Sequence, residues 1–142
     1  PGQLVGYPIL HLRCRGLRAA DYVRTLEAAL IDVLAEFEVA GEVVPGRPGV
    51  WVGDAKVAAI GVAIRGGVSM HGFALNVSPD LSWFDAITPC GLTDATVTSL
   101  TALMPRPPSM GDVIDAARAA LQDRLSSDVV TAPSPFVEGV PA

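Results

Sequence analysis

Three groups of residues could carry chemistry: a cysteine in a tight turn, a lone lysine, and a histidine beside small residues. Cys90 stands in Thr88-Pro89-Cys90-Gly91-Leu92, where the flanking proline and glycine specify a tight, exposed turn. Backbone N–H groups around Gly91 could point inward there and serve as oxyanion donors. An unassisted thiol, with a pKa of about 8.5, is only a few per cent thiolate at neutral pH. A nucleophilic Cys90 therefore needs a cation beside it, and Lys56, His71 and His11 are the candidates. The alternative is a buried, inert thiol packed as a small hydrophobe. Cys14, between Arg13 and Arg15 with no glycine turn, reads as inert or simply exposed.

Lys56 is the only lysine among the ten basic residues, so lysine chemistry has one candidate. It opens the run Lys56-Val57-Ala58-Ala59-Ile60-Gly61-Val62-Ala63-Ile64. Regular strand alternation puts Lys56 on the face of Ala58, Ile60, Val62 and Ile64, at the rim of the core. Desolvation there would lower its pKa toward a value useful for proton transfer. Alternatively it begins the strand and snorkels to water. The opposite face carries Val57, Ala59, Gly61 and Ala63, small enough for something to approach the backbone. In His71-Gly72-Phe73-Ala74-Leu75-Asn76, alternation likewise gives Gly72, Ala74 and Asn76 one face of little bulk. Paired, the two faces would line a narrow slot for a thin apolar ligand such as an acyl chain. His71 beside it is either a supporting group or a hydrogen-bonded structural residue. The same residues would also fit a cysteine-histidine hydrolase or a plain ligand-binding domain.

Several elements must position these groups. Leu4 to Leu12 reads as a strand, at an edge or bulge because of Pro8. Asp21 to Ala40 is helical, with Tyr22, Leu26, Ala29, Leu30, Val33 and Phe37 on one stripe. Arg24, Glu27, Asp32 and Glu38 fall away from it, and Gly41 suits a left-handed cap. Four β segments follow, at 42–44, 49–52, 56–65 and 69–77, with turns expected at Asp54-Ala55 and Gly66-Gly67. Asp80 to Ile87 and Ala95 to Leu100 read as short helical turns, and 104–109 as a proline-rich break. Ser109, with Asp112 as its capping-box partner, starts a helix over Met110 to Leu125. Its stripe is Val113, Ile114, Ala117, Leu121 and Leu125. A helix, a strand meander and a helix predict an α+β fold, a sheet with helices packed on it.

Composition narrows the class. The 142 residues are half hydrophobic and 18% charged, which suits one folded domain or part of one. A net charge of −5 argues against nucleic acid as the main partner. The longest stretch without Asp, Glu, Lys or Arg, Gly66 to Pro79, is too short to span a bilayer, so no membrane partner is expected. Two histidines and no Cys-x-x-Cys argue against a metal. With no signal peptide visible, the expectation is a cytoplasmic protein with free thiols.

The wording of the motifs adds a resemblance. Gly2-Gln3-Leu4-Val5-Gly6-Tyr7-Pro8, Lys56-Val57-Ala58-Ala59-Ile60-Gly61, His71-Gly72-Phe73-Ala74-Leu75-Asn76, Pro89-Cys90-Gly91-Leu92 and Val97-Thr98-Ser99-Leu100 occur in order. The chain resembles the lipoyl(octanoyl) transferase family across residues 1–125, leaving 126–142 as a proline-containing tail. That resemblance implies a mixed sheet with helices, related to the catalytic domains of biotin and lipoate ligases. It implies transfer of an octanoyl group from acyl carrier protein to Cys90 as a thioester. The acceptors would be lysine amines on lipoyl domains of 2-oxoacid dehydrogenases and on the glycine-cleavage carrier protein. Lys56 matches the family's partner lysine; Ala59, Ile60, Gly61, Gly72, Phe73 and Ala74 match segments lining its acyl pocket. No cofactor is implied, because a thioester retains enough transfer potential for aminolysis without ATP.

In that family a segment with Arg-Gly-Gly and an acyl-binding His precedes a Gly-Pro-Gly-Gln string. The sequence opens inside that string at Pro1, so an N-terminal part of the domain is expected to be missing. An open sheet edge and an unstable or inactive isolated piece are then expected. Two other readings remain open: an ATP-dependent lipoate or biotin ligase, and a non-catalytic remnant that binds carrier protein or acyl groups.

Overall fold

The computed structural model describes residues 1–85 and 96–127. Cys90 and its turn, and 128–142, lie outside the described residues. The order is β1 (Gln3–Gly6), α1 (Ala19–Glu36), β2 (Glu42–Val44), β3 (Arg47–Val52), β4 (Ala55–Arg65) and β5 (Val68–Asn76). Then come α2 (Ser82–Asp85), β6 (Thr96–Val97), α3 (Leu100–Leu103) and α4 (Met110–Ser127). The sheet runs β1-β5-β4-β3-β2 with antiparallel neighbours, and β6 adds a parallel pair to β4, so the sheet is mixed.

The helices α1 and α4 cover one face. Leu30, Val33 and Leu34 of α1 meet Val50, Val57, Ala58, Phe73 and Leu75 of the sheet, and Val113 and Ala117 of α4 close the cluster. A second cluster gathers Leu12, Tyr22 and Leu26, with Ile60 packed between the two. Burying each such Leu or Val stabilises by about 1.5–3 kcal/mol, which is why the 3.6-residue stripe was a sound guide to α1. The capping box at α4 also holds. The Ser109 hydroxyl lies 2.7 Å from an Asp112 carboxylate oxygen, and the Asp112 N–H donates back to the hydroxyl at 3.2 Å.

Several expectations are corrected. The first strand stops at Gly6; beyond Pro8 the chain turns to the start of β5, where Leu10 donates to the Ser69 hydroxyl and His11 bridges Val68. The left-handed position after α1 is taken by Glu38 (φ 59°), not Gly41. Gly41 is needed for space, since a Cβ there would lie 2.6 Å from Leu34 and 2.9 Å from Val50. The β3–β4 turn falls one residue early, at Gly53-Asp54. Residues 96 and 97 pair as a strand because Lys56 offers them a free ladder position beyond the end of β5. Ile114 is partly exposed at the edge of the α4 stripe. Glu27, expected away from the core, is buried at 5% exposure and accepts the Gly49 N–H at 3.1 Å.

Candidate active site

The sheet face opposite the helices carries a shallow groove of about 270 Å³. Its floor follows from register: Val5, Ala74 and Ala59 align across β1, β5 and β4, and Gly61 pairs with Gly72 beside them. Tyr7, His71 and Phe73 complete the lining. Ala59, Gly61, Gly72 and Ala74 therefore share a face as expected, whereas Val57, expected with them, is buried in the helix-side core. Ile60 alternates to the other side and packs into both core clusters. The two glycines differ in role. A Cβ on Gly72 would lie 2.1 Å from the Gly6 carbonyl oxygen, so Gly72 lets β1 approach; a Cβ on Gly61 would meet nothing within 4 Å. His71 is held at φ 64°, a left-handed conformation unusual for a non-glycine residue in a strand. Its ring meets Tyr7 edge-on, with centroids 6.2 Å apart.

Lys56 sits on the groove side, contrary to simple alternation. On β3, Val50 and Trp51 are consecutive; on β4 their partners are Ala58 and Lys56, two residues apart. One extra residue on β4, a β-bulge at Val57, therefore separates the two pairs. Val50 and Trp51 point to opposite faces, so Ala58 and Lys56 do as well. The bulge also explains why Val57 and Ala58 are both buried in the same core cluster. It turns Lys56 to the face of Ala59 and Gly61.

The ammonium rests on an aromatic platform. Lys56 Nζ lies 4.9 Å from the centroid of the Trp51 ring, and the Arg47 guanidinium carbon lies 5.6 Å from it. Such contacts contribute about 0.5–2 kcal/mol and are strongest where water is excluded. Trp51 is 1% exposed, and its indole N–H donates to the Arg47 carbonyl at 3.2 Å. The platform was not anticipated from sequence; its signal was a tryptophan directly across the β3–β4 turn from the only lysine.

The segment that contains Cys90 re-enters the described structure beside this lysine. Val97 pairs with Lys56, and the Thr98 N–H donates to the Lys56 carbonyl at 2.9 Å. Asn76 secures the join, donating to the Thr98 carbonyl at 3.0 Å while accepting from the Gln3 side chain at 2.8 Å. Elsewhere, the arginines of the 13–18 stretch are partly engaged: Arg15 donates to the Leu125 carbonyl and Arg18 pairs with Asp21. Among the described residues no helix is long and apolar enough to cross a membrane.

Comparison with known proteins identifies the family. The family model described as the lipoyl protein ligase A/B catalytic domain matches residues 1–122. Relatives named octanoyltransferase include one from Geobacter metallireducens, 51% identical over 113 residues (80% of this chain, 53% of that protein). Another, from Thermobifida fusca, is 51% identical over 124 residues (82% and 52%). A third, from Mycobacterium avium, is 52% identical over 131 residues (88% and 56%). The chain thus spans about half the length of the curated relatives it matches.

Among solved structures, the biotin protein ligase of Aquifex aeolicus superposes with a TM-score of 0.70 at 15% identity, covering 89% of this chain and 53% of that one. The bipartite lipoate protein ligase of Thermoplasma acidophilum gives 0.63 at 16%, covering 87% and 50%. At such identity these structures establish the fold, an α+β sheet of the biotin/lipoate ligase kind. With the family model matched over most of its residues, the chain belongs to the lipoyl protein ligase A/B catalytic domain family.

Proposed function

We propose that this chain carries the acyl-transfer centre of an octanoyltransferase of lipoate biosynthesis. The donor is octanoyl-acyl carrier protein and the acceptor a lipoyl-domain lysine, in the cytoplasm. One observation carries the reading: the bulge at Val57 puts Lys56 on the same sheet face as the small-residue groove. The 51% identity to relatives named octanoyltransferase, over about half of their length, supports it.

In the first step the Cys90 thiolate attacks the octanoyl thioester carbonyl, a new C–S bond forms and the carrier's thiolate leaves. Exchange between sulfurs is nearly isoenergetic, so no ATP is consumed. In the second step the acceptor amine attacks the acyl-cysteine, the C–S bond breaks and the amide forms. Lys56 as an ammonium stabilises the Cys90 thiolate and then protonates the departing carrier thiolate; the neutral amine so formed accepts the proton lost by the attacking amine. The groove floored by Ala59, Gly61, Gly72 and Ala74 receives the acyl chain, with His71 supporting its rim.

The test uses the full-length protein with octanoyl-carrier protein, followed by intact mass. A hydroxylamine-labile octanoyl adduct is expected, absent from Cys90→Ala. Lys56→Ala should slow acylation by about 10²–10⁴-fold with the fold intact. An adduct that survives Cys90→Ala, or one that forms only with ATP and free octanoate, would overturn the reading in favour of a ligase.

A further inference from the structure

Glu27 is a carboxylate in the wrong place for a surface helix. It lies at 5% exposure on α1, where leaving it unpaired would be costly. Its Oε1 accepts the Gly49 N–H at 3.1 Å, linking the helix layer to β3. Gly49 is itself over-determined. It holds φ 122°, and a Cβ there would sit 2.4 Å from the Ala58 carbonyl oxygen and 3.5 Å from Lys56 Cε. Gly49 therefore abuts both sides of the bulge, with Ala58 after it and Lys56 before it. Two residues further on, Trp51 pairs with Lys56 and carries its ammonium.

A bulge inserts an unpaired residue and locally disrupts the ladder, so a directional contact from outside the strand pair can hold its position. Glu27 reaches β3 from the helix layer at Gly49, immediately before the bulged pairs. A hydrogen bond from a backbone N–H to a buried carboxylate is among the stronger ones and is directional.

We propose that Glu27 is a positioning residue for Lys56. Its buried carboxylate pins the Gly49 N–H, fixes the Val57 bulge, and so keeps Trp51 and Lys56 turned toward the groove. The inference rests on the reading of Lys56 as the working lysine, but its primary readout does not depend on turnover.

The experiment compares wild type, Glu27→Gln, Glu27→Asp and Glu27→Leu in the full-length protein. Lys56 acylation by a small amine-reactive ester is followed by peptide mass spectrometry, alongside octanoyl transfer and far-UV circular dichroism. Glu27→Gln keeps an acceptor at the same reach and should retain the wild-type Lys56 labelling rate. Glu27→Asp withdraws the oxygen by one methylene, and Glu27→Leu removes it. Both should change the labelling rate several-fold and lower kcat by about 10- to 100-fold with KM for the donor little changed. If Glu27→Leu does not fold, Glu27→Asp against Glu27→Gln decides.

Folded Asp or Leu variants with wild-type labelling and kcat would overturn the proposal. So would a Gln variant as impaired as Leu. Altered labelling in a protein that shows no octanoyl transfer at all would uphold the positioning role while refuting the function proposed above.

Discussion

Gly61 and Gly72 face one another across β4 and β5, yet substitution should reveal opposite roles. Gly61 opens onto empty space, so a valine there fits the strand and occupies the groove. Gly61→Val is expected to keep its unfolding midpoint while losing about tenfold or more in kcat/KM for an octanoyl donor relative to a butanoyl one. A chain-length series of acyl donors measures this, and normal octanoyl preference would show that the acyl chain lies elsewhere. Gly72→Ala instead drives a methyl into the Gly6 carbonyl and should destabilise by about 1–3 kcal/mol, read from urea unfolding. At this scale the sequence made the small residues legible because β4 and β5 alternate regularly from Ala59 and from Gly72. Lys56 was misplaced because one inserted residue reverses every face assignment before it.

Elements are joined here through a few buried polar contacts. The Tyr22 hydroxyl donates to the Pro8 carbonyl, anchoring α1 to the chain where β1 ends. Burial pushes its phenol above the ordinary value of 10.0. The unfolded chain therefore ionises first, so this contribution is whole below pH 10.0 and falls as pH rises from there toward the folded-state pKa. Tyr22→Phe should cost about 1 kcal/mol at neutral pH and flatten the alkaline decline in stability. Urea midpoints across the alkaline range measure both, and an unchanged decline would assign it to other groups. The existence and buried stripe of α1 were legible from periodicity, although it ends at Glu36 and not Ala40, and the start of α4 was legible from the Ser109–Asp112 box. The early end of β1 was only half legible: Pro8 signalled an interruption, but the turn toward Ser69 depends on a partner 59 residues away.

Over the whole molecule, the helix-covered face is closed and the groove face is not. Val5, Tyr7 and Ile9 are 50–64% exposed, and Met70, paired with Ala63, is also open. An apolar sheet face next to an edge strand promotes association. The 142-residue chain by itself is expected to bind a hydrophobic dye and to gain mass with concentration in light scattering. A monodisperse monomer over a hundredfold concentration range would contradict this.

The sequence alone was sufficient for whatever depends on near neighbours along the chain. That includes the amphipathic helices, the strand meander, the α+β class and the pair of small-residue faces. Motif wording further pointed to the ligase-transferase family that the family model matches. Tertiary structure decided which face Lys56 occupies, what its ammonium rests on and why Glu27 is buried. Each of these depends on register between strands or on a helix laid across them. Register is set by packing energy summed over the whole sheet, and a single bulge changes it without leaving a mark in local periodicity.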